Sequence, residues 1–65
     1  MDKFQFVLSQ LEAAVKTGCE VRIDMDFHRL AYIGANRDSR EIMVVTLDGM
    51  CLDVDYRIDF VFACL

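Results

Sequence analysis

Three kinds of side chain in this sequence could do chemistry: carboxylates spaced two apart, arginines near an aromatic ring, and cysteines. Asp24 and Asp26, and again Asp53 and Asp55, stand at i and i+2, which puts both carboxylates of a pair on one side of an extended strand. Such a pair can hold a hard cation or divide acid and base roles, but a cation site needs oxygens converging from several directions. Plain alternation toward solvent accounts for both pairs, so no metal and no cofactor is expected. His28 is the single histidine, and no activated-nucleophile or metal-binding His pattern surrounds it. The sequence therefore does not read as an enzyme. Cys19, Cys51 and Cys64 lack any Cys-x-x-Cys spacing and lie within or beside apolar runs, so they are expected as small buried hydrophobes rather than zinc ligands.

Two binding surfaces remain. The first is an acidic edge of Asp53, Asp55 and Asp59, suited to a basic protein groove. The second is a set of basic loop residues, His28, Arg29, Arg37 and Arg40, with Tyr56 and Arg57 at another turn. Arginines beside an aromatic could grip a phosphate and stack a base, which makes Arg37, Arg40, Tyr56 and Arg57 the candidate nucleotide-binding set.

The charge distribution favours the first surface. Net charge is −4, and residues 1–40 are balanced, whereas residues 41–65 carry Glu41, Asp48, Asp53, Asp55 and Asp59 against Arg57 alone. An acidic half repels phosphate backbones and attracts a basic partner. The same charge also serves solubility.

Size limits what can hold these groups in place. The chain has 65 residues and 55% hydrophobic content, and a single core this small supplies only about 3–5 kcal/mol without reinforcement. An odd number of cysteines behind an N-terminus with no apolar leader points to a reducing cytoplasm rather than to disulfides. Self-association is then the expected reinforcement, as a dimer or a ring.

The positioning elements follow from periodicity. Asp2 can cap a helix over residues 3–17, with Gln5 completing a capping-box-like pair. Phe4, Val7, Leu8, Leu11, Ala14 and Val15 form one apolar stripe, and Gly18 suits the left-handed position beyond its end. Phe6 lies beside that stripe, where it either widens the core face or reaches a neighbouring subunit. Strict alternation predicts a strand over 19–26, with Cys19, Val21, Ile23 and Met25 inward. Phe27, His28 and Arg29 are expected as a connection to a strand over 30–35, in which Gly34 marks a bulge or bend. Asn36–Arg40 is a polar loop.

Asp48-Gly49 is a strong two-residue hairpin signal, joining strands over 41–47 and 50–56. Counting outward pairs Leu47 with Met50, Val45 with Leu52 and Met43 with Val54 on the core face. A last strand over 59–64 has no polar side, so Phe60, Phe62, Cys64 and Leu65 are the expected oligomer interface.

One helix, the Val21-Arg22-Ile23 strand, a second strand carrying Gly34, a central hairpin, the turn Tyr56-Arg57-Ile58 and a short final strand together resemble the Sm-like (Sm/Hfq) small barrel. The resemblance implies an α+β, mostly β fold: an N-terminal helix, then a five-stranded, strongly bent antiparallel Sm-like barrel, as a single domain over 1–65. The chain departs from the Sm pattern after Asp38, where no Asn follows, and has Arg57-Ile58 in place of Arg-Gly. Size, acidity, Leu11-Glu12-x-Ala14 and the run from Glu41 through Leu52-Asp53 to Ile58 are similar in layout to the Rho-binding antiterminator family. That resemblance implies a non-enzymatic, cytoplasmic acidic regulator that binds and inhibits a basic, nucleic-acid-handling protein. The alternative expectation is an oligomeric Sm-like binder of RNA or a small nucleotide at subunit boundaries.

Overall fold

A computed structural model describes residues 2–58 and the backbone of residues 62–63. Helix α1 spans Lys3–Thr17, the predicted range. The Asp2 carboxylate accepts the Gln5 N–H at 2.9 Å, satisfying one of the donors that the first turn leaves unpaired. Gly18 closes the helix at φ 73°, its N–H donating to the Ala14 carbonyl. Phe4, Val7, Leu8, Leu11 and Ala14 are buried, as the stripe requires, while Phe6 is exposed and so does not widen the core.

Four antiparallel strands form a curled sheet: β1 (Glu20–Ile23), β2 (Asp26–Asn36), β3 (Glu41–Thr46) and β4 (Cys51–Val54). A two-residue ladder, β5 (Phe62–Ala63), pairs with Val21 and Glu20, which gives the spatial order β4-β3-β2-β1-β5. The curl comes from β2, which pairs with β1 through Asp26–Arg29 and with β3 from Leu30 onward. Between these two halves the register shifts, at Leu30/Tyr32. An extra residue on one strand bends it and increases its twist, so the bend lies around Ala31 and not at Gly34, whose register is regular opposite Met43. Helix α1 packs against β1 and β2. Leu11, Val21 and Val44 lie at the centre, the largest side chains with less than 2% exposure. Among the described residues no helix is long and apolar enough to cross a membrane.

The end of the first strand and the hairpin register are also corrected. The first strand stops at Ile23, because Asp24 and Met25 turn the chain with φ of 52° and 76° and leave Ile23 paired with Asp26. Two consecutive left-handed residues are the signature of a type I′ turn. Phe27, His28 and Arg29 therefore belong to β2 rather than to a connection, and Met25 is 90% exposed instead of inward. Alternation ran unbroken through Met25, which hid the turn.

The second correction is the central hairpin register. Val45 pairs with Cys51, Val44 with Leu52, Met43 with Asp53 and Ile42 with Val54, one residue away from the expected pairing. The Gly49 N–H donates to the Thr46 carbonyl at 3.0 Å and Gly49 sits at φ 92°. The loop is thus Leu47-Asp48-Gly49, a turn followed by a left-handed glycine. A one-residue slip exchanges the two faces of a strand: Ile42, Val44 and Thr46 are buried, while Met43 and Leu47 are exposed.

The cysteines also differ from expectation. Cys51 is a free, exposed thiol, whereas Cys19 is buried and disulfide-bonded. The expected oligomer-interface residues Phe60, Cys64 and Leu65 lie outside the described residues, as does the side chain of Phe62.

Candidate partner-binding edge

Strand β4 ends the sheet order, and its last residues lead into a turn that is fastened to the start of α1. Asp55 organises that turn. Its Oδ1 accepts from the backbone N–H of Arg57 at 3.0 Å and from Nε at 2.9 Å, while Oδ2 accepts from the second guanidinium nitrogen at 3.1 Å. The Ile58 N–H closes the turn onto the Asp55 carbonyl at 3.1 Å. This two-pronged bond holds the Asp55 carboxyl below its ordinary pKa and raises that of Arg57. Lys3 donates from Nζ to the Arg57 carbonyl at 3.2 Å, and the Tyr56 ring meets Phe4 edge-on at 5.5 Å and 86°.

A second arginine is tied to the same helix end. Arg40 pairs with Asp2 at 3.0 Å and lies 5.8 Å over the Phe4 ring. The carboxyl of Asp2 is held below its ordinary value, first by the Gln5 N–H and also by Arg40. Both guanidinium groups are therefore engaged by carboxylates of their own chain.

Arg40, Glu41, Asp53, Asp55, Tyr56 and Arg57 line one open cavity of about 580 Å³ between the ends of β3 and β4. The structure thus brings together Asp53, Asp55, Arg40, Tyr56 and Arg57, and adds Glu41, one step past the Ile42/Val54 pair. Counting the hairpin register correctly would have found Glu41. Asp59 lies outside the described residues. Arg37 is not part of this cavity; it lines a separate groove of about 420 Å³ with Glu12 and Lys16, between α1 and β2.

His28 and Arg29 are also elsewhere. They sit in β2 opposite Val21 and Glu20, with the Arg29 carbonyl accepting from the Leu47 N–H at 2.9 Å. That places them at the far end of β3 from Arg40, about 20 Å away at 3.3 Å per strand residue. The expected basic loop cluster is therefore split. Asp24 and Asp26 occupy the β1–β2 turn and the first position of β2, not one strand face.

Glu41 and Asp53 are exposed and pair with no cation among the described residues. With Arg40 and Arg57 already engaged, the local chemistry is that of an acceptor surface for foreign lysine or arginine. The chain matches no family model, no curated protein and no solved structure.

Proposed function

We propose that this chain is a non-enzymatic acidic regulator, a five-stranded Sm-like small barrel of the Rho-binding antiterminator kind, that binds and inhibits a basic nucleic-acid-handling protein. The observation that carries this reading is the exposed pair Glu41 and Asp53 beside Asp55 at the open end of the sheet. Carboxylates held on adjoining strands can occupy a lysine- and arginine-lined groove in place of phosphates. A partner engaged in this way loses its grip on nucleic acid, which is the inhibition proposed. The alternative, nucleotide binding through Arg37, Arg40, Tyr56 and Arg57, has less support. A phosphate would have to displace Asp55 from Arg57 and Asp2 from Arg40 while facing Glu41 and Asp53, and Arg37 stands apart.

Exposed apolar side chains, among them Phe6, Tyr32, Leu47 and Met50, support self-association as an accompanying property. The test of function is capture from lysate by wild type and by an Asp53→Asn, Asp55→Asn, Asp59→Asn variant, with the captured proteins identified. Basic nucleic-acid-handling proteins are expected with wild type and depleted with the variant. Equal capture by both removes the basis of the reading.

A further inference from the structure

Strand β4 offers more than charge, because the hairpin bonding fixes which of its backbone groups point away from the sheet. The Thr46 N–H donates to the Met50 carbonyl at 2.9 Å, so Thr46 and Met50 are a hydrogen-bonded pair. In an antiparallel ladder such pairs recur at every second residue. Leu52 and Val54 therefore bond to Val44 and Ile42, while the N–H and C=O of Cys51 and Asp53 point outward. Among the described residues no strand meets that side. An open edge of this kind is a template for another strand.

Charge selects the occupant. A second copy of β4 laid antiparallel would bring two Asp53 side chains close together, and like charges facing each other across strands are destabilising. A strand carrying lysine or arginine opposite Asp53 instead meets that carboxylate directly, with Glu41 of β3 further along the same face, two residues past Met43. Residues between those cations would face the side of Leu52 and Val54, which is half-buried to buried and suits threonine or valine.

We infer that the β4 edge takes up an extended segment of a basic protein as an additional antiparallel strand, with alternate residues being lysine or arginine. This rests on the acidic-regulator reading and adds to it how the partner is held: main-chain bonds to Cys51 and Asp53 give affinity, and the alternating cations give selectivity.

The probe is a synthetic peptide of alternating lysine and threonine, with a second version N-methylated at alternate residues to block its backbone donors. Binding is followed by NMR, together with amide exchange at Cys51 and Asp53. The unmodified peptide is expected to bind, to slow exchange of both amides about tenfold or more, and to lose at least about tenfold in affinity on N-methylation. Cys51→Pro removes an outward N–H without touching the β3 ladder, a position where an edge strand tolerates proline, and is expected to weaken binding similarly, with Cys51→Ser as the control. Should Cys51→Pro not fold, the N-methylated peptide still decides. The strand-pairing inference is overturned if both peptides bind equally with exchange unchanged, or if neither binds. Loss of binding in Asp53→Asn alongside equal binding of the two peptides would leave the acidic-regulator reading standing without the strand.

Discussion

Thr46 and Met50 face each other across the tip of the β3–β4 hairpin. The Thr46 N–H donates to the Met50 carbonyl at 2.9 Å, and the Met50 N–H donates back to the Thr46 hydroxyl at 3.0 Å. The same hydroxyl donates to Oδ1 of Asp48. One buried side chain, 2% exposed, thereby replaces a backbone acceptor and sets the three-residue loop. Removing the hydroxyl while keeping the shape isolates its role. Thr46→Val is expected to cost about 0.5–1.5 kcal/mol, the net worth of the hydrogen bond it removes from the Met50 N–H. Urea unfolding checks this, and an unchanged midpoint would show that the hydroxyl does not set the loop.

The helix was legible in the sequence because its cap residue, apolar period and closing glycine are all local signals. The hairpin register was not. Ile42, Met43, Val44 and Val45 are all apolar, so either face of β3 could have been the core, and a two- or three-residue loop equally puts Gly49 at positive φ. Packing decides between them: branched Ile42 and Val44 are buried and flexible Met43 is left outside. At the candidate site, Asp53 was readable from alternation along β4, whereas Asp55 was expected in a strand over 50–56 and instead opens the turn after Val54. The pairing of Arg40 with Asp2, residues far apart in sequence, was not, because it depends on where the helix end meets β3.

The β1–β2 turn carries a cost that can be relieved. Met25 holds φ 76° with its side chain 90% exposed, and a residue with a Cβ in the left-handed region is disfavoured by about 1–2 kcal/mol. Glycine at that position would form an Asp-Gly turn with no packing lost. Met25→Gly is expected to stabilise the fold by about 0.5–1 kcal/mol after the greater flexibility of glycine in the unfolded chain is counted. Thermal unfolding measures it. A loss of stability would mean that Met25 is packed inside, as unbroken alternation would have it.

Three carboxylates link folding to pH. Asp2, Asp48 and Asp55 all have their pKa lowered from 3.8, chiefly by bonds from the Gln5 N–H, the Thr46 hydroxyl and the Arg57 guanidinium respectively. A group whose pKa is depressed on folding stabilises the fold fully above its unfolded value, and that contribution is lost as pH falls through the folded one. Melting temperature is expected to hold steady from neutral pH downward and to fall below about pH 4. Asp2→Asn keeps a good cap residue but cannot titrate, so its acid slope is expected to be shallower. An identical slope would exclude Asp2 from the linkage.

The central claim is that carboxylates at the open end of the sheet engage a basic protein, and reversing one of them probes it most directly. Asp53 is exposed on an edge strand, so Asp53→Lys leaves the core untouched. Calorimetric titration of wild type and Asp53→Lys against the basic protein that wild type captures is expected to give a Kd raised by about tenfold or more in the variant, with wild-type affinity falling as salt is added. Equal affinities for the two, insensitive to salt, would contradict the account.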